Sequence, residues 1–287
     1  MSFFNDLVNI MKRFLALLSA LTLTVGLCAC GNNGGNDAKK VTDYTQSVDN
    51  ALVVAEAGSA GEELAQDEEF FKNAKFTAVD SQAKALMEVK SGTADIALVD
   101  YVTSIGSIGE GTDFSDLAVV EGKDFSPEEY GIAFRKGSDA TPAVNKAIAE
   151  LAEEGKLMEI AKKYKLDELV KTEFPEENGE VTEGDLAYIK GKGKLIIGIT
   201  LFAPMNYKDK NGELTGFETE FAKAVCEKLG VEAQFVEINW NSKEMELSSK
   251  SIDCIWNGLT ITDERKENMS LSVPYMANKQ VMVAKAK

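Results

Sequence analysis

The chain has 287 residues, 44% of them hydrophobic and 27% charged, so it can bury a core in one or two domains and is not a disordered chain. Against 31 Lys and Arg stand 47 Asp and Glu, and the formal charge of −16 argues against nucleic acid or an anionic membrane surface as direct partners. With no His at all, His-based triads and His-ligated zinc are excluded, and the four scattered cysteines lack the spacing of a Cys-only metal site.

From Met11 the chain runs through Lys12 and Arg13 into a short apolar stretch with small residues before Cys30. This is the pattern of a secretion signal, too short for a comfortable membrane span, with Met11 as the natural start and residues 1–10 as an upstream extension. Leu27-Cys-Ala-Cys30 resembles a bacterial lipobox, and the resemblance makes Cys30 the cleaved and lipidated N-terminus. A signal over 1–30 and a flexible, Gly- and Asn-rich tether over 31–48 follow from this reading. Cleavage leaves Cys226 and Cys254, each in an apolar segment; buried free thiols are expected, and a disulfide between them stays open.

Residues 51–56 read as a strand ending at Ala57-Gly-Ser-Ala-Gly61, after which 62–72 read as an amphipathic helix. Backbone N–H groups in such a turn favour an anion, and Ser59 adds a hydroxyl; an ordinary helix cap is the alternative. A strand over 76–79, a helix over 81–90 and a strand over 94–99 follow, the last delivering Asp100 to its C-terminal end. Carboxyl ends of strands face the ligand crevice of open α/β sheets, so Asp100 is placed to receive an ammonium, or else caps the helix over 101–105. Further strands are expected at 117–120 and 131–134, and helices at 140–153 and 156–164 with apolar stripes. The polar stretch 172–193 reads as a linker. Beyond it come a strand over 194–199, a hairpin-like 208–213, a helix opened by 216–221 and running to 229, a strand over 235–238, a helix over 240–249 and a final strand over 280–284.

Between these last two lies the stretch around which the chain is organised. Ile252, Cys254 and Trp256 alternate with Asp253 and Ile255 as in a strand that Gly258 ends, and Thr260, Thr262 and Asp263 are helix-capping types before Arg265. A carbonyl, a hydroxyl and a guanidinium fork within a few residues suit both ends of an α-amino acid; a capped helix with a surface Arg is the plain alternative.

Trp256-Asn-Gly-Leu-Thr-Ile-Thr-Asp-Glu-Arg265, followed by Ser272-Val-Pro-Tyr275, resembles the amino-acid-binding proteins of ABC importers, the polar amino acid family of type II solute receptors. The resemblance implies an α/β, two-lobed type II periplasmic-binding-protein fold that holds its ligand between the lobes. It gives Gly258, Thr260 and Arg265 the ligand's α-amino and α-carboxylate groups, with Ser59 and Ala60 sharing the carboxylate and Asp100 the ammonium. Phe202 and Trp256 resemble the apolar walls. Glu56 stands where some relatives carry a Lys or Gln reaching the ligand's side chain, and an acid there favours a cationic or amide side chain.

The order of the parts differs from the family's. Residues 194–287 resemble the usual first lobe, 49–126 the second lobe, 127–171 the closing strand and helices that pack on the first lobe, and 172–193 a linker joining the former termini. The chain therefore reads as circularly permuted, with one covalent crossing near 125–131, and a lobe-swapped dimer is the alternative. No cofactor, metal or catalytic residue is implied. The implied partners are an amino acid, an ABC permease and, through Cys30, the bacterial cell membrane from its extracytoplasmic side. A surface sensor and a dehydratase-like enzyme, with Glu56 or Asp100 as acid or base, are the competing functions.

Overall fold

A computed structural model describes residues 43–174 and 184–286. The expected signal, Cys30, most of the tether and the centre of the 172–193 linker lie outside the described residues.

The chain first builds a parallel sheet from β1 (Leu52–Glu56), β2 (Lys75–Val79) and β3 (Ile96–Asp100), in the order β2-β1-β3. Val53 to Glu56 and all of β3 are buried, as expected of strands covered on both faces. Helices α1 (Ala60–Asp67) and α2 (Gln82–Ser91) supply the covering. Ser81 caps α2 by accepting from the Lys84 N–H at 3.1 Å, and Gly92, at φ 83°, closes it in the left-handed region that glycine tolerates. Then come α3 (Tyr101–Ser107) and β4 (Leu117–Val119). Two apolar clusters complete this small lobe, one around Leu86, Val99 and Val283, the other around Phe71, Ile96 and Met282.

The large lobe begins with β5 (Pro127–Arg135), longer than its expected core of 131–134. Helices α4 (Ala140–Glu153) and α5 (Lys156–Lys163) bury the stripes Val144, Ile148, Leu151 and Leu157, Ile160, Ala161. Residues 185–191, expected to be linker, form helix α6 (Asp185–Gly191). Its first turn is held by Asp139, which accepts from the Leu186 N–H at 2.7 Å, and by Asp185, which pairs with Arg135 and accepts from Ser138 Oγ at 2.6 Å. These partners lie about 50 residues away, beyond the reach of a local reading.

Next come β6 (Lys194–Ile199), the small hairpin β7 (Tyr207–Lys208) and β8 (Leu214–Thr215), α7 (Phe217–Leu229), β9 (Glu232–Glu237), α8 (Lys243–Ser248), β10 (Cys254–Thr260), α9 (Asp263–Asn268), β11 (Met269–Leu271) and β12 (Met276–Lys285). The large sheet has the order β12-β5-β10-β6-β9, with β6 parallel to β9 and β10 and with β11 added to β5. Gly258 does not end β10: the strand runs on to Thr260, and a register shift between Ile255 and Leu259 absorbs the glycine at φ 58°. Cys226 and Cys254 are buried and free, and burial pushes the Cys226 thiol up to about 12.

Two strands, not one, pass between the lobes. Met276–Lys279 pairs antiparallel with Pro127–Tyr130, after which β12 continues into the small lobe against β3 and β4, and β5 continues into the large lobe against β10. Residues 280–285, expected with the 194–287 segment, thus lie in the small lobe's sheet.

Candidate functional site

Parallel strands β1, β3, β6 and β9 all end toward the line where the lobes meet, and the residues just past those ends form the walls of a cleft. Glu56, Ser59 and Ala60 follow or close β1, Asp100 closes β3, Phe202 follows β6 and Trp240 follows β9. Gly258 and Thr260 come from the bulged end of β10, and Arg265 from the first turns of α9. Together with Gln82 and Asn257 they enclose about 10 Å³, room for roughly one water. Anything larger than a water enters such a site only when the lobes part.

Arg265, 5% exposed, is aimed by its helix. Thr262 caps α9, accepting from the Arg265 N–H at 3.2 Å, and Arg265 Nη1 donates to the Thr260 carbonyl at 2.8 Å. Its Nη2 crosses the cleft to Glu63 Oε1 of α1, also at 2.8 Å. Thr260 Oγ1 donates to Glu128 at 3.2 Å. The Gly258 N–H donates to Glu218 Oε1 at 2.8 Å; a Cβ on Gly258 would stand 2.9 Å from the Phe202 ring, so the position admits only glycine.

On the small-lobe side Ser59 is the N-cap of α1: its Oγ accepts from the Glu62 N–H at 3.2 Å, which leaves the hydroxyl proton to donate into the cleft. Its own N–H goes to the Glu56 carbonyl, the Gly58 N–H to Glu62 Oε2 at 2.6 Å and the Glu63 N–H to the Ser59 carbonyl, so anion capture at this turn falls to the N–H groups of Ala60 and Gly61. Asp100 makes no side-chain cap for α3. Instead Oδ1 accepts from Asn278 Nδ2 and Gln280 Nε2, each at 2.7 Å, and Oδ2 from Gln82 Nε2.

The same two amides of β12 donate to Glu128 Oε2 at 2.8 and 3.1 Å, bridging two carboxylates at the cleft floor. Burial, and then the charge of Asp100, raises Glu128 to about 7; burial also raises Asp100 against the pull of its amide donors. Glu56 is raised to about 8, by burial first and by Asp100 second, with Lys243 opposing. Lys243 Nζ donates to the Gly58 carbonyl at 2.8 Å, a bond from one lobe to the other, and burial with the nearby Arg265 lowers it to about 8.

Trp256 is not at the cleft. Its side chain is fully buried in the large lobe, edge-on to Phe221 at 5.1 Å and 6.5 Å from Tyr275, because the strand's alternation turns it away from Asn257. Trp240 supplies the second aromatic wall instead. Sequence reading also missed Gln82, Glu128, Lys243, Asn278 and Gln280. A signal existed for the last two: polar residues at alternate positions of one strand, at odds with the apolar run after them.

Residues 195–287 match the bacterial extracellular solute-binding proteins, family 3. Over 94 residues the chain is 40% identical to the L-cystine-binding protein TcyJ of Escherichia coli strain K12, covering 32% of this chain and 35% of that one. Over 96 residues it is 35% identical to the arginine-binding extracellular protein ArtP of Bacillus subtilis strain 168, covering 33% and 37%. Among solved structures, a Streptococcus pneumoniae ABC uptake transporter substrate-binding protein with bound histidine shares 39% identity, over 30% of this chain and 36% of that one, at a TM-score of 0.29. The chain spans about a third of the length of the curated relatives it matches.

Proposed function

We propose, for a chain whose residues 195–287 match the bacterial extracellular solute-binding proteins of family 3, that it captures an α-amino acid between its two lobes without chemical conversion. The observation that carries this reading is the pairing of a buried guanidinium, Arg265, with a buried carboxylate, Asp100, on opposite lobes around one cleft. An α-amino acid presents the matching charges a few bonds apart. Its carboxylate takes Arg265, the Ser59 hydroxyl and the N–H groups of Ala60 and Gly61; its ammonium takes Asp100, Thr260 and the Gly258 carbonyl. Phe202 and Trp240 flank the stem. Closure makes both sets of contacts at once, so ligand favours the closed lobes.

The proposal puts this activity outside the cytoplasm, with the ligand handed to an ABC importer's permease and Cys30 as the lipid anchor; the match to extracellular solute-binding proteins supports the location. The segment order is read as a circular permutation: both strand crossings are kept, and α6 lies directly before β6 on the large lobe. A monomeric mass by light scattering is the outcome expected of the permuted monomer and not of a lobe-swapped dimer.

The function is tested by the melting temperature of the chain from Asn32 onward with each common amino acid and cystine in turn. A ligand at a thousandfold excess over Kd stabilises by about 4 kcal/mol. A clear rise with one compound or a small chemical group of them is expected; a cooperative melt that none of them shifts refutes the reading.

A further inference from the structure

Two carboxyls stand side by side at the cleft floor because two amides hold them there. The NH2 group of Asn278 gives one hydrogen to Asp100 Oδ1 at 2.7 Å and the other to Glu128 Oε2 at 2.8 Å, and that of Gln280 does the same at 2.7 and 3.1 Å. These four bonds close a ring across three strands, since Asp100 ends β3, Glu128 lies in β5 and both amides lie in β12. A third donor, Thr260 Oγ1, reaches Glu128 Oε2 at 3.2 Å. Thr260 lines the cleft and Glu128 stands behind it. With its hydrogen committed to Glu128, the Thr260 oxygen faces the cleft as an acceptor.

Two acids this close, away from water, do not both ionise without a cation between them. Arg265 and Lys243 are engaged elsewhere, the first with the Thr260 carbonyl and Glu63, the second with the Gly58 carbonyl. The other titratable groups within reach of Asp100 are acids and phenols: Glu56 from β1, Glu218 from α7, Tyr130 from β5 and Tyr275 just before β12. Glu129 and Lys279 turn to the opposite face of the β5–β12 ladder and pair with Lys171 and Asp124. The empty pair therefore keeps one proton, and it rests on Glu128 Oε1, because three donors already converge on Oε2.

We infer that Glu128 is a positioning residue for the ligand's ammonium, and that the ammonium enters in exchange for a proton. The inference rests on the amino-acid-binding reading and deepens it. Before binding, the pair carries one proton and one negative charge. The docking ammonium supplies the missing cation, the Glu128 proton leaves to solvent, and two carboxylates then serve one ammonium, Asp100 directly and Glu128 through the Thr260 hydroxyl. The empty closed site thus holds a proton that the complex lacks, so affinity rises with pH until Glu128 ionises unaided, near 7.

The test is calorimetric titration of the common amino acids and cystine in buffers of low and of high ionisation enthalpy, which counts the protons exchanged. Histidine and cysteine are left out because their own side chains titrate. At pH 6 each amino acid that binds should release about one proton and at pH 8.5 almost none, and its affinity should climb roughly 20- to 30-fold from pH 5.5 to 7.5. Glu128→Gln keeps an acceptor for Thr260 and the two amides but has no proton to lose. Its release should vanish, and its affinity should stay near the wild-type value at pH 5.5 throughout. Glu56→Gln should still release the proton, whatever it does to affinity, which assigns the proton to the pair even where Glu128→Gln does not fold. Binding without proton release by the wild type, or release kept by Glu128→Gln, overturns the role of Glu128 and leaves the amino-acid receptor standing. If no amino acid binds the wild type at any of these pH values, the receptor reading falls and the role of Glu128 with it.

Discussion

Stability should fall as pH rises from 5.5 to 7.5, and the absence of His makes this window clean. No side chain of ordinary pKa changes charge there. Three buried carboxyls do: Glu56 is raised to about 8, and Glu128 and Glu218 each to about 7, all by burial first. In the unfolded chain each ionises near its model value of 4.5. The folded state therefore binds protons that the unfolded state has lost. Stability from these groups is fully present below about 4.5 and is lost as pH climbs through 7 and 8. Each retained proton is worth about 1.4 kcal/mol per pH unit, so Glu56 alone accounts for roughly 2–3 kcal/mol across the window and the three together for at most about 6. Lys243, lowered to about 8, acts beyond the window: its penalty is constant below that value and is relieved only at higher pH. Urea denaturation at the two pH values, read through the buried Trp240 and Trp256, measures the difference. Glu56→Gln should remove the Glu56 share. Stability that is flat or rising over this window would refute the account of the cleft as a cluster of protonated acids.

Other consequences follow from the contacts that cross the cleft. Lys243→Met keeps the apolar stem over Trp240 but deletes the bond to Gly58, so the ligand-free chain should show a larger radius of gyration in small-angle scattering and a wild-type value once ligand is added. Glu63→Gln frees one edge of Arg265 for the ligand; an ion pair whose acid is 47% exposed is worth about 0.2–1 kcal/mol, so affinity by titration should tighten by roughly 1.5- to 5-fold, and weaker binding would contradict the assignment of Arg265. Trp256→Ala should cost about 3–5 kcal/mol in urea denaturation through the cavity it leaves among Phe221 and Tyr275, while Trp256→Phe should leave the ligand's Kd unchanged.

What the sequence made legible is what local pattern encodes. Runs such as Val53 to Glu56 and Ile96 to Asp100 announce strands buried on both faces, and the capping residues Ser59, Ser81 and Thr262 announce the helices behind them. Arg265, Asp100 and Ser59 could be placed at a site because each ends a recognisable strand or opens a helix. Trp256 could not, since one bulge at Gly258 decides which face the residues around it present, and a bulge leaves no mark in period-2 alternation. Helix α6 was hidden because its hold is long-range: Arg135, Ser138 and Asp139 lie tens of residues from Asp185 and Leu186. Glu128 looked like one more acid among 47, and only the pairing of β5 with β12 shows that it shares two amides with Asp100.

That pairing also explains how a cleft so tightly closed can open without losing its floor. Thr260 of the large lobe is tied to Glu128, and Asp100 of the small lobe to Asn278 and Gln280, so each lobe is moored by side chains on the two crossing strands. The strands are in register from Met276 opposite Tyr130 to Lys279 opposite Pro127, a ladder that a rotation of the lobes can twist without breaking. Displacement grows with distance from that axis. The rim contacts lie away from the ladder: Lys243 to Gly58, Arg265 to Glu63, and Gly106 against Pro204, where an added Cβ would come within 2.6 Å. Opening therefore breaks the rim and spares the floor, and Asp100 and Glu128 keep their amide donors throughout. The acid that changes surroundings most is Glu56, which is moored to neither strand and regains water as the lobes part. Its proton should be lost on opening and regained on closure.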